Sequence, residues 1–162
     1  MVLKRVAENG KEVEVQNRDI LVLQRIFYAM QDVCAMEERC QWVEDRLYKI
    51  TQTLSSQPGG GERKTFADNL ASMEKSESAY KASLRRYQKE LEEAEAILAG
   101  ISNPNMRTFV TLVYVLMLSG EEVRKRLNMT EYAFKRARKA IESADNMASV
   151  VWVDKYVLAE NK

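Results

Sequence analysis

The chain has 162 residues, of which 46% are hydrophobic and 30% charged, so it is long enough and apolar enough to fold around a core. Its net charge is only +1, so a polyanionic partner would have to be recognised by one region rather than by the whole surface. The absence of His excludes His metal ligands and His general bases, and the presence of only six Gly and two Pro favours long helices.

Residues 2–15, VLKRVAENGKEVEV, predict a β-hairpin. Asn9 and Gly10 suit the positive φ angles of a two-residue type I′ turn, and the second arm alternates valine with glutamate. Because two strands alone are marginal in water, we expect a third, and SVVWVDKYVL at 149–158 has the composition of one. A small β element would then join residues 1–18 to a strand-like tail at 147–162, within one chain or across a dimer.

Residues 19–101 predict two long helices, because apolar residues recur at three- and four-residue spacing on either side of a break at 55–64 that contains Pro58. The expected inward positions of the first helix are Leu23, Phe27, Met30, Cys34, Cys40, Val43, Leu47, Ile50 and Leu54. The second helix carries five heptads of coiled-coil seam, apolar with one polar exception at Glu77. The seam consists of Phe66, Leu70, Met73, Glu77, Tyr80, Leu84, Tyr87, Leu91, Ala94, Leu98 and Ile101. We expect a long antiparallel coiled-coil hairpin, here called the helical arm, packed within one chain or between chains.

The two cysteines lie six residues apart on the first of these helices, at Cys34 and Cys40. Six residues correspond to about 600° of helical rotation, so the two thiols point to different faces and cannot pair with each other. Two cysteines without His also make a poor zinc site. We expect reduced, buried or half-buried thiols of a cytosolic protein, with no metal and no cofactor.

Residues 102–146 predict three shorter helices of roughly 15, 7 and 14 residues, the proportions of a helix-turn-helix domain. Asn103 and Thr130 are expected to cap the first and third, and Ser119 with Glu122 has the spacing of a capping box before the second. The first helix should present a broad apolar face made of Met106, Phe109, Val110, Val113, Leu116 and Met117. The other inward positions are Val123, Leu127, Met129, Phe134, Ala137 and Ile141. The fold class is therefore mainly α: the helical arm, the helix-turn-helix domain and the small β element.

The basic side chains of this domain leave residues 121–139 with a net charge of +4, seven Lys and Arg against three Glu. A compact basic surface favours contacts with phosphates, and the start of the last helix would face base edges if that helix enters the major groove. The candidate DNA-binding residues are Arg124, Lys125, Arg126, Thr130, Tyr132, Lys135, Arg136, Arg138 and Lys139.

Residues 48–144 resemble the small phage-encoded transcriptional regulators of the RinA/ArpU type, whose C-terminal part is similar to the promoter-reading domain of sigma factors. YKITQTLSSQPGGGERKTFADNLASMEK resembles their helix, Pro/Gly break and second helix. ILAGISNPNMRTFVTLVYVLMLSGEEVRKRLNMTEYAFKRARKAI resembles their apolar helix, Gly, E-[IV]-A-x-x-[LM] helix and Ser/Thr-capped recognition helix. The matching positions are Glu122, Val123, Leu127 and Thr130, whereas Arg124 stands at the usual Ala. The resemblance implies a sigma-like helix-turn-helix that binds duplex DNA.

Two functions fit these observations. The first is a phage or prophage transcriptional regulator in the cytoplasm of a bacterial host, which reads duplex DNA while its arm mediates homo-oligomerisation or contact with RNA polymerase or another protein. The second is a phage or mobile-element interaction module that binds a host or phage protein without DNA. An enzyme is not expected, since His is absent, no Gly-rich phosphate loop follows a strand, and PGGGERK does not have the lysine-Ser/Thr arrangement of such a loop. A membrane segment is not expected either, because the longest apolar run covers only residues 109–118.

Overall fold

The structure, a computed structural model, describes the backbone of residues 3–6, 10, 12–54 and 63–156. Most of these residues are helical, which confirms a mainly α fold class. The chain divides into two compact units: residues 1–27 with 90–162, here called the mixed unit, and residues 28–89, the two-helix unit. None of the described helices is long and apolar enough to cross a bilayer. The division into segments 1–18, 19–101, 102–146 and 147–162 stays a prediction.

The described elements follow one another from a short hairpin through two long helices to three short ones. They are β1 (Leu3–Val6), β2 (Glu12–Val15), α1 (Asp19–Leu54), α2 (Arg63–Ala99), α3 (Pro104–Val110), a π-helical turn (Thr111–Val115), α4 (Gly120–Leu127), α5 (Glu131–Glu142) and 3-10 turns at Met147–Ser149 and Asp154–Tyr156. The predicted break at 55–64 lies, apart from its last two residues, outside the described part of the chain.

Strands β1 and β2 pair antiparallel, as predicted for the N-terminal hairpin, but in a different register. Val6 pairs with Glu12, whereas a two-residue turn at Asn9-Gly10 would pair Glu12 with Ala7. The tight-turn prediction is therefore wrong, because five residues separate the paired strands. Gly10 has a φ of 76°, and Asn9 lies outside the described residues.

The prediction of a third strand from the C-terminal tail is wrong for its described part, residues 147–156. The sheet of the described residues has two strands, and this part of the tail forms the two 3-10 turns instead. The physical reason is aromatic packing: the Trp152 ring lies 5.5 Å from Phe109 and 5.2 Å from Tyr156, measured between ring centroids. Burying these rings against α3 competes with the pairing of a β-strand.

The two-helix unit contains α1 from Tyr28 onward and α2 as far as Lys89. In α1 the inward face runs continuously at heptad spacing through Ala29, Val33, Met36, Cys40, Val43 and Leu47. The predicted inward positions Cys40, Val43 and Leu47 are confirmed, but Met30 is 39% exposed and Cys34 is exposed. The side chains of Ile50 and Leu54 lie outside the described part of the chain. Met30 and Cys34 each lie one position after a residue of the observed inward face, Ala29 and Val33. Both cysteines are free, and only Cys40 is half-buried as expected.

The core of the mixed unit lies among α3, the π-helical turn, α4 and α5. Its largest fully buried side chains include Tyr114, Phe109 and Ile101. Of the predicted inward positions of α4 and α5, only Leu127 is half-buried rather than buried. The predicted apolar face of the preceding helix is too long, because regular α-helix stops at Val110 and the π-helical turn changes the rotation, leaving Leu116 and Met117 partly exposed.

Candidate nucleic-acid interface

Helices α4 and α5 are set in place by local caps that match the predicted ones. Ser119 Oγ accepts the N–H of Glu122, and the Glu122 carboxylate accepts both the hydroxyl and the N–H of Ser119. These two hydrogen bonds to the ionised form lower the pKa of Glu122. Thr130 Oγ1 accepts the N–H of Ala133, which caps α5. Both helix starts are therefore defined by side chains within the turn itself.

The start of α4 lies close to the aromatic core of α5. A Cβ atom added to Gly120 would lie 3.2 Å from Cε1 and 3.3 Å from Cζ of Phe134, tighter than an ordinary contact. Phe134 in turn packs on Phe109, with 5.5 Å between the ring centroids. The glycine at 120 therefore permits the close approach of the two helices. At its other end, α4 stops at Asn128, which adopts the left-handed conformation with a φ of 48°.

The exposed face of α5, here called the basic face, brings together four of the nine predicted site residues. Tyr132, Lys135, Arg136 and Lys139 follow one another at the helical spacing of one face, and all four are exposed. The opposite face carries the buried core residues Phe134, Ala137 and Ile141. Tyr132 is 69% exposed, and Arg136 lies over its ring at 5.6 Å and donates from Nη1 to its hydroxyl at 3.3 Å.

One acidic residue, Glu131, borders the basic face. Its carboxylate pairs with Lys135 in the next turn, and Arg124 of α4 approaches it at 3.9 Å. The hydrogen bond and charge of Lys135, followed by the charge of Arg124, lower the pKa of Glu131, so it is ionised at neutral pH. Because these pairs are solvent-exposed, they contribute little to stability.

Helix α4 supplies a second group of predicted cations beside these residues. Lys125 pairs with Glu121 at 2.9 Å, which lowers the pKa of the glutamate and raises that of the lysine. Arg124 is half-buried and donates from Nε to the carbonyl of Gly120 at 3.3 Å. Arg126, like Lys139 on α5, is exposed and makes no ion pair with any residue the structure describes.

Arg138 stands apart from the basic face. Its Nε donates at 2.9 Å to the carboxylate of Glu142, a residue that is only 3% exposed. A buried carboxylate requires a cation or donors close by, so Arg138 is engaged within the fold. Thr130 is engaged as well, because its hydroxyl caps α5.

Sequence reasoning missed a buried polar junction at the C-terminal end of α5. Asn17, which is 0% exposed, donates from Nδ2 to the carbonyl of Ile141 at 2.9 Å and accepts the N–H of Asp19 at 3.1 Å. The backbone N–H of Gln16 donates to the carbonyl of Glu142 at 2.9 Å. An Asn before a helix signals a cap, but its partner 124 residues away is not visible in the local sequence.

No group of His, Cys, Asp or Glu side chains suited to a metal ion lies among the described residues. The chain matches no protein-family model, no curated protein and no solved structure.

Proposed function

We propose that the protein is a phage or prophage transcriptional regulator that binds double-stranded DNA through a sigma-like helix-turn-helix formed by α4 and α5. The observation that carries this proposal is the basic face of α5, directly opposite the side chains that anchor the helix in the core. A rigid helix whose outer face holds three cations and one aromatic ring suits entry into a major groove. The resemblance of residues 48–144 to RinA/ArpU-type regulators supports the same function.

Within this proposal, some cations contact phosphates and others contact base edges. Lys135, Lys139 and Arg126 are exposed and suit phosphate contacts, which supply affinity but no sequence information. Tyr132 and Arg136 stack on each other on the same exposed face, where they can reach base edges. The helical arm serves dimerisation or contact with RNA polymerase or another protein, in the cytoplasm of the bacterial host.

Charge reversal on the basic face tests the proposal. Lys135→Glu combined with Arg136→Glu replaces two cations with two anions, so we expect it to abolish the mobility shift of duplex phage DNA. Both residues are exposed, so helicity measured by circular dichroism should be unchanged. The matched control is Lys75→Glu with Lys89→Glu, exposed positions of α2 that carry the same change in net charge. Equal loss of binding in both doubles, or no shift by the unmodified protein at low salt, would contradict the proposal.

A protein-binding module that does not bind DNA is the second candidate, and the ion pairs within α4 and α5 favour it. Lys125, Lys135 and Arg138 are already paired with glutamates of their own helices. The ratio of absorbance at 260 and 280 nm, before and after a high-salt wash, separates the two functions. A regulator that carries nucleic acid loses 260 nm absorbance in the wash, whereas the module copurifies with a stoichiometric protein and no nucleic acid.

A further inference from the structure

Helix α2 carries its apolar seam on a side that is only partly covered within the two-helix unit. Leu70 is 42% exposed, and the next five seam positions are only half-buried. By contrast Ser76, which is outside the seam, is 2% exposed. Leu70, Glu77 and Leu84 lie roughly 80–120° around the helix from Ser76. Met73, Tyr80 and Tyr87 lie roughly 20–60° from Ser76 on the same side, so the stripe follows the edge of the inward face, where its side chains are only partly covered.

The spacing of this stripe is the same in both directions along the helix. The six positions from Leu70 to Tyr87 are separated by three, four, three, four and three residues. A symmetric dimer interface requires such self-complementarity, because each residue must meet its counterpart under a two-fold rotation. Laying a second copy of the stripe antiparallel across the first pairs Leu70 with Tyr87, Met73 with Leu84 and Glu77 with Tyr80.

The charges on the stripe specify the direction of the second copy. Glu77 is half-buried among apolar neighbours, and Lys81 lies one turn further along the helix. Within the described part of the chain, neither side chain makes an ion pair or hydrogen bond. In an antiparallel pair each Glu77 lies beside Lys81 of the second copy, which gives two reciprocal ion pairs. A parallel pair would place the two Glu77 carboxylates against each other, which is unfavourable.

We propose that a second copy of this chain docks on α2 along the stripe from Leu70 to Tyr87, with the two α2 helices antiparallel. The ion pairs between Glu77 and Lys81 set the register and orientation of the dimer. This assignment names the partner of the helical arm and rests on the proposed function for its purpose, since a dimer presents two recognition helices to DNA. The dimer itself is measured without DNA, so its failure and the failure of DNA binding are distinguishable.

The test is the mass of the DNA-free protein in solution, measured by light scattering or sedimentation. A dimer has twice the monomer mass of 18.7 kDa, that is 2 × 18.7 = 37.4 kDa. We expect this mass for the unmodified chain. Glu77→Lys alone and Lys81→Glu alone place like charges together, so each should shift the mass to that of the monomer. The double charge swap restores opposite charges and should restore the dimer.

Circular dichroism shows whether each single variant keeps its helix, and Glu92→Lys, at an exposed position of α2 outside the stripe, controls for the change in net charge. A monomeric unmodified chain would overturn the proposal. So would a dimer whose mass neither single substitution changes, or one that the double swap fails to restore.

Discussion

Individual cations of α4 and α5 differ in what their environment allows them to do. Arg138 neutralises the nearly buried carboxylate of Glu142, whereas Lys139 is exposed and makes no ion pair with a described residue. Arg136 packs on the ring of Tyr132, which fixes the direction of its guanidinium group. We therefore expect substitution of Arg138 to affect stability first, and substitution of Lys139 to affect DNA affinity alone.

Glu131→Gln should increase affinity for DNA by about two- to fivefold, because it removes a negative charge beside the basic face. It should cost little stability, because the ion pairs it removes are exposed and weak. The substitution removes a negative charge that pairs with Lys135 and approaches Arg124. Since Lys135 lowers the pKa of Glu131, protonation has the same effect only in acid, as the pH falls through that lowered pKa. DNA affinity near neutral pH should therefore be insensitive to the titration of this group.

The measurement is the Kd for duplex DNA by fluorescence anisotropy at constant salt. Glu38→Gln, at an exposed position of α1, makes the same change in net charge away from α5 and should leave the Kd unchanged. Weaker binding by Glu131→Gln would contradict the account, because it would mean that the carboxylate itself contributes to the complex.

At the scale of the elements, the features that depend on neighbouring residues were predictable. The predicted caps at Asn103, Ser119 and Thr130 are confirmed, because a cap is formed by a side chain only two or three residues from the N–H groups that it accepts. The buried face of α5 was predictable for a similar reason, since its apolar residues repeat regularly over the whole helix.

Features set by distant partners were not predictable. The β-branched residues of the tail predict a strand, but Trp152 packs on the distant Phe109 ring instead. The inward face of α1 was misassigned at Met30 because the apolar residues there permit two neighbouring stripes, and packing of the helix decides between them. Among the candidate site residues, the sequence indicated which side chains are basic, but not that Arg138 is committed to the buried Glu142.

The junction that joins the start of α1 to the end of α5 yields a prediction about stability. Asn17→Ala removes a buried donor from the carbonyl of Ile141 and should lower the free energy of unfolding by about 1–3 kcal/mol. The measurement is denaturant unfolding followed by the fluorescence of Trp152, in a Trp42→Phe background so that only the mixed unit is observed. Asn105→Ala, at an exposed position of α3, is the control. Equal stability of the two variants would contradict the assigned role of Asn17.

At the scale of the whole molecule, charge is distributed unevenly along a nearly neutral chain. Residues 19–101 carry 14 acidic and 11 basic side chains, a net charge of −3, whereas residues 121–139 carry +4. A polyanion should therefore be attracted to α4 and α5 and not to α1 and α2. In this account, DNA binding is electrostatic in origin and local to α4 and α5.

The salt dependence of DNA binding tests this central claim most directly. Binding of the unmodified protein to a labelled duplex of mixed sequence is measured by anisotropy at several salt concentrations. With the three exposed cations Lys135, Lys139 and Arg126 contacting phosphates, the slope of log K against log salt should be about −2.7 per protomer, or ~40-fold weaker binding when salt rises fourfold. Absence of binding at low salt, or binding that does not change with salt, would contradict the account.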